Sequence, residues 1–104
     1  MARFDILANP NAPERSHTPY VLDVQIDHLQ PLATRVVIPL RAPKGFGAVA
    51  RGLNPVLEIN GKPLVLDTAA LAPVPAQMLK AAVAQATPWR DEILDAIDTL
   101  FGAY

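Results

Sequence analysis

Cysteine is absent from the 104 residues, so the chain has no disulfide, no thiolate nucleophile and no thiolate metal site. That suits a reducing compartment. Charge is sparse as well: Asp, Glu, Lys and Arg make up 18% of the chain and the formal net charge is −1. The nine Lys and Arg residues are scattered from Arg3 to Arg90 without a basic run. This argues against a surface that itself wraps a phosphate backbone, because such binding rests on clustered cations releasing counterions. No stretch reaches the roughly 18 uninterrupted apolar residues of a membrane span. The opening MARFDILANP lacks the long apolar core of a signal peptide. The expectation is a cytoplasmic protein with no membrane partner. Aromatics are only 6% against 51% hydrophobic residues, so the core is aliphatic and disorder is not expected. The length fits one domain spanning residues 1–104, with room for a single core.

What is present reads mostly as strands. Residues 3–8 are a short aliphatic run ending at the turn signal Asn9-Pro10. Residues 9–18 are polar and predict a surface loop, with His17 solvated. Residues 19–28 alternate, with Tyr20, Leu22, Val24 and Ile26 on one face and Asp23, Gln25 and Asp27 on the other. Residues 36–40, VVIPL, read as a strand buried on both faces, with Pro39 near its end or at an edge. The connection 28–34 is longer than a tight hairpin needs and has room to present side chains. In residues 41–51 Phe46 lies between two glycines, which reads either as an exposed aromatic on a flexible segment or, the favoured expectation, as a loop residue folded back on the core. Residues 55–60 and 62–67 flank Asn60-Gly61, the dipeptide best suited to a type I′ turn, which predicts a β-hairpin. The proline-rich run at 71–76 predicts an edge strand, because each proline biases its predecessor away from helix. Residues 78–86 have helical propensity over a short span.

The last run, TPWRDEILDAIDTLFGAY, predicts a helix capped by Thr87, with Pro88 in its first turn and Gly102 at its stop. Ile93, Ile97 and Phe101 recur four apart, with Ala96 and Leu100 in the adjoining row. These apolar residues close the run with Leu, Phe and Tyr, and something should cover them: the same chain's sheet, or another protein. In all, five or six strands followed by helical structure describe an α+β chain that is mainly β.

Catalytic candidates are thin. His28 with Asp27 and Arg35 is the one conceivable acid–base set, and adjacent strand residues point to opposite faces. Paired histidines at metal-ligand spacing, calcium-loop carboxylates and a glycine-rich phosphate loop are all missing, so neither a metal nor another cofactor is expected. Asp91, Asp95 and Asp98 form an acidic stripe opposite much of the apolar helix face. The bland meaning is a solvated surface. Asp95 and Asp98 lie toward the negative end of the helix dipole, where a basic partner segment is welcome.

Taken together, several segments resemble the CcdB family, the toxins of CcdA–CcdB toxin–antitoxin modules. They are Asp23-Val24-Gln25 with Asp27, Arg35 with Val37-Ile38-Pro39-Leu40, Asn54-Pro55-Val56, Val74-Pro75, and Ile93 with Ala96-Ile97 and Phe101. No single motif is specific; the ordered set, covering essentially the whole chain, carries the resemblance. It implies a compact SH3-like barrel of about five to six antiparallel strands, shared with MazF-type toxins, with one C-terminal helix and a two-fold homodimer. It also implies a poison of DNA gyrase rather than an enzyme: the dimer enters between the two A subunits and stabilises cleaved, covalently attached DNA. A CcdA-like antitoxin folds onto the toxin and removes it. Toxin and antitoxin together repress their own operon, so DNA is met only through the antitoxin.

Carried across, the resemblance assigns gyrase contact to His28, Leu29, Asp98, Phe101, Gly102, Ala103 and Tyr104. Antitoxin contact is expected at Asp91, Asp95 and Asp98, and the dimer contact at Ile97, Leu100 and Phe101. The chain departs from its best-known relatives at these positions. It has His28-Leu29 for two isoleucines, Asp98 for an asparagine, and Gly102-Ala103-Tyr104 for Trp-Gly-Ile. A buried tryptophan anchor is worth about 2 kcal/mol or more where it is a hot spot. Three readings stand: a gyrase poison with a diverged terminus, a protein of this fold that binds antitoxin but has another target or no toxicity, and a ribonuclease on the related fold.

Overall fold

The computed structural model describes residues 2–27 and 32–102. Within them the chain forms strands β1 (Asp5–Ala8), β2 (Tyr20–Asp23), β3 (Thr34–Arg41), β4 (Val56–Ile59), β5 (Lys62–Leu66), β6 (Ala72–Pro75) and β7 (Ala84–Gln85), then helix α1 (Arg90–Phe101). Every pairing is antiparallel. The strands run in the order β4-β5-β3-β2-β1-β7, with β6 also on β3. The result is an α+β architecture: a nearly closed barrel of six antiparallel strands, a short β7 on β1, and one C-terminal helix. Alternation along the strands fills two cores. Ile6, Leu22, Ile38, Leu40, Leu57 and Leu66 meet Ile93 and Ala96 of α1 on one face. Leu7, Val21 and Val37 meet Leu79 on the other, with Val74 packed against them.

Strand β3 organises the barrel because it changes partner midway. Its first half pairs with β6 from Thr34 to Val37, and its end pairs with β5 at Leu40 and Arg41. Pro39 stands at the changeover, two residues before the end of this central strand. Its carbonyl accepts the Asp67 N–H at 3.0 Å, and the Asp67 carbonyl, which has no donor to meet on Pro39, accepts the Ala70 N–H at 3.0 Å instead. The prolines of β6 are placed by the same logic. Ala76 N–H donates to the Ala33 carbonyl at 2.8 Å, so the even-numbered residues point their donors at β3. Pro73 and Pro75 therefore turn outward, and that edge offers no N–H to a foreign strand.

The β4–β5 hairpin is as predicted. Asn60 and Gly61 have φ of 52° and 79°, the paired positive values of a type I′ turn, between Ile59 and Lys62. Two expectations fail near the C-terminus. Residues 78–86 are not helical: a 3₁₀ turn at Ala76–Met78 gives way to extended chain ending in β7. Strand β1 captures this backbone, since Val83 N–H donates to Ile6 O and Ala86 N–H to Phe4 O, both at 2.8 Å. Thr87 is not the helix cap either. Thr87–Trp89 form a 3₁₀ turn, Trp89 is the N-cap without a side-chain bond, and the Thr87 hydroxyl binds the Gln85 side chain instead. The stop is as predicted, with Gly102 left-handed at φ 64° and its N–H on the Asp98 carbonyl.

Candidate binding surface

Helix α1 splits its apolar residues between two tasks. Ile93 and Ala96 are fully buried in the main core, and Leu94 and Ile97 pack against it partly exposed. Leu100 is half-buried, outside that cluster. Phe101, one turn beyond Ile97, is 66% exposed. A large aromatic side chain left this open at a helix end is a surface feature and no part of the core. Asp98 and Gly102 are exposed beside it, as are Asp91 and Asp95 farther up the helix. Asp91 lies 3.5 Å from its neighbour Arg90, a solvent-exposed pair of little weight. Of the residues assigned to gyrase contact, α1 thus gathers Asp98, Phe101 and Gly102. His28, Leu29, Ala103 and Tyr104 lie outside the described residues.

Of the conceivable catalytic set, His28 lies outside the described residues, and Asp27 and Arg35 take different partners. Arg35 is buried and pairs with Asp23: Nε to Oδ2 at 2.8 Å and Nη2 to Oδ1 at 2.9 Å. Asp27 is exposed and accepts the Arg3 backbone N–H at 2.7 Å. Fork-to-fork geometry on two adjacent strands makes Arg35–Asp23 a strong, directional contact. Gln25 joins it, its N–H donating to Asp23 Oδ1 and its carbonyl accepting Arg35 Nη2. The sequence reading set Asp23 and Gln25 on one strand face without pairing them to Arg35. The usable signal was an acid and a base in neighbouring runs that are otherwise apolar. Phe4 adds to this end of the sheet. Its φ of 70° is unusual for a bulky residue, and its N–H donates to Asp23 O at 2.7 Å while its ring enters the core.

Phe46 does not return to the core; it is half-buried in its loop, under the Arg41 guanidinium at 5.4 Å. His17 is exposed, as expected, with Nδ1 2.7 Å from the Thr18 hydroxyl. On the sheet face away from α1, Val21, Val37, Pro39 and Val74 floor a half-open groove of about 280 Å³, with Met78 on a wall. Its polar rim is tied to itself, Asn9 Nδ2 donating to Thr18 O and Asn11 N–H to Asn9 Oδ1. Among the described residues no three His, Asp or Glu side chains converge as a metal-binding group, and no helix is long and apolar enough to cross a membrane.

The end of α1 on the six-stranded barrel thus exposes an aromatic beside an acid. The family model described as CcdB protein matches residues 3–102. The chain belongs to the CcdB family. No curated protein sequence matches it. CcdB membership suggests a toxin of a toxin–antitoxin module rather than an enzyme, and it implies an antitoxin as a kind of partner.

Proposed function

We propose that this CcdB-family chain is a DNA gyrase poison. As a homodimer it binds the gyrase A subunit and traps the cleaved gyrase–DNA complex, and a CcdA-like antitoxin neutralises it. The observation that carries this reading is Phe101, which α1 holds 66% exposed while the preceding turns bury Ile93 and Ala96. A rigid aromatic at a helix end is the kind of anchor that dominates interface energetics. Asp98 and Gly102 flank it, and His28, Leu29, Ala103 and Tyr104 complete the proposed contact. Poisoning requires only tighter binding to one state of the target, so a shaped surface is enough and no general base is needed. The acidic stripe Asp91, Asp95 and Asp98 is the proposed seat of a basic antitoxin segment. Toxin and antitoxin together would repress their operon, the antitoxin supplying the DNA contact.

Expression in cells with wild-type gyrase, beside cells with a toxin-resistant A subunit, tests the reading. Growth arrest should appear in the first and be relieved in the second. Purified protein should convert gyrase and plasmid into trapped cleaved DNA. Failure to trap cleavage with the gyrase of its own organism overturns gyrase poisoning. One feature favours a second reading, in which antitoxin binding is kept and the target differs: the chain has Gly102-Ala103-Tyr104 where the best-known relatives place a tryptophan. Arrest that persists in the resistant cells selects it.

A further inference from the structure

Prolines close the sheet edges of this chain selectively. Pro73 and Pro75 turn outward from β6, and Pro63 of β5 stands opposite Glu58 of β4. Along an antiparallel ladder hydrogen-bonded pairs alternate with unbonded ones, and Leu66 N–H donates to Pro55 O at 3.0 Å. Leu57 with Leu64 and Ile59 with Lys62 are therefore the bonded pairs of the hairpin. Pro63 falls between them and turns its donorless nitrogen away from β4, beyond Arg41, where β3 has ended. The same alternation points the N–H and C=O groups of Val56 and Glu58 away from β5. Strand β4 stands last in the sheet order, and no described residue bonds to those groups. Both side chains are exposed, Val56 at 51%. Two donors and two acceptors on an edge without proline, beside a β-branched apolar side chain, are the counterpart of another extended backbone.

A second copy of the chain fits this edge poorly. Two β4 strands paired about a two-fold axis at Leu57 set Val56 against Glu58, and pairing about Glu58 sets two carboxylates opposite each other. Pairing about Val56 reaches Asn54, which lies outside β4 with its side-chain amide on the Leu66 carbonyl at 3.0 Å. We propose that the outer edge of β4 receives an extended segment of a partner polypeptide, with an apolar residue opposite Val56 and a Lys or Arg two places along, opposite Glu58. The site uses none of the residues assigned to gyrase, antitoxin or dimer contact.

The probe is the synthetic peptide Ser-Thr-Val-Thr-Lys-Thr-Ser with blocked ends, offered to the full chain up to millimolar concentration. A second peptide, N-methylated at its valine and lysine, keeps the side chains and loses the two donors that would face β4. Amide hydrogen exchange at Val56 and Glu58 is read beside exchange along α1. The plain peptide should slow exchange at Val56 and Glu58 by about tenfold or more with α1 unchanged, and the methylated peptide should leave both as they were. Glu58→Pro removes one outward donor without touching a β4–β5 bond, so the hairpin should keep its fold while peptide affinity falls by about tenfold or more. No slowing by the plain peptide, or equal slowing by the methylated one, overturns the proposal. Exchange already slow at both amides in the free chain at micromolar concentration also overturns it, because the edge is then covered by a second copy or by the chain itself. If Glu58→Pro fails to fold, the methylated peptide decides in the wild-type chain.

Discussion

At the scale of single residues, the Arg35–Asp23 pair shows how a buried charge is tolerated and what it costs to break. Both side chains are almost wholly removed from water. Three of the contacts that offset their desolvation are Arg35 Nε and Nη2 on the carboxylate and the Gln25 N–H on Oδ1. Arg35 Nη1 has no acceptor among the described residues, so the pair is not fully compensated. Removing one partner strands the other. Arg35→Met alone should therefore destabilise the chain by about 3–5 kcal/mol. Adding Asp23→Val should return most of that loss, because two apolar side chains of fitting size impose no such penalty. Urea denaturation of the single and double variants checks this. A double variant no more stable than the single one contradicts the account.

At the scale of elements, α1 carries two functions on residues that a period of four makes look alike. Ile93→Ala opens a cavity in the main core and should cost about 2–5 kcal/mol. Phe101→Ala removes a side chain that is 66% exposed, so stability should change by no more than about 0.5 kcal/mol. Thermal melting separates the two, and under the gyrase reading Phe101→Ala should abolish cleavage trapping in a protein that still folds. Trapping at the wild-type level would remove Phe101 from the contact. Local chemistry made several elements legible: the Asn60-Gly61 turn, the Gly102 stop and the acidic stripe each follow from one residue's conformational needs or from helical spacing. Residues 78–86 and the start of α1 were not legible, since both depend on what β1 and Gln85 do with backbone and side-chain groups far away in sequence. Neither was Arg35–Asp23, whose partners are brought within reach only by the β2–β3 register, which sets Asp23 against Val37, two residues from Arg35. Strand β2 ends at Asp23, against an apolar alternation that runs on to Ile26.

At the scale of the whole molecule, the question is whether the protomer is finished on its own. Its Cα radius of gyration is 12.8 Å, close to the roughly 13 Å expected of a compact chain of about 100 residues. The main core is closed by α1, and Leu100 stands outside it. A lysine at Leu100 should then leave the protomer folded while placing a charge in the proposed contact formed with Ile97 and Phe101. A stable homodimer buries on the order of 800 Å² per partner, more than one helix end supplies. Barrel surface must therefore join the helix, and the charge would sit inside a larger desolvated patch where it is costly. Leu100→Lys should accordingly sediment as a monomer at micromolar concentration while keeping the wild-type circular dichroism spectrum. A variant that remains dimeric at that concentration takes Leu100 out of the interface, and a wild-type chain that is itself monomeric removes the two-fold assembly on which entry between two A subunits depends.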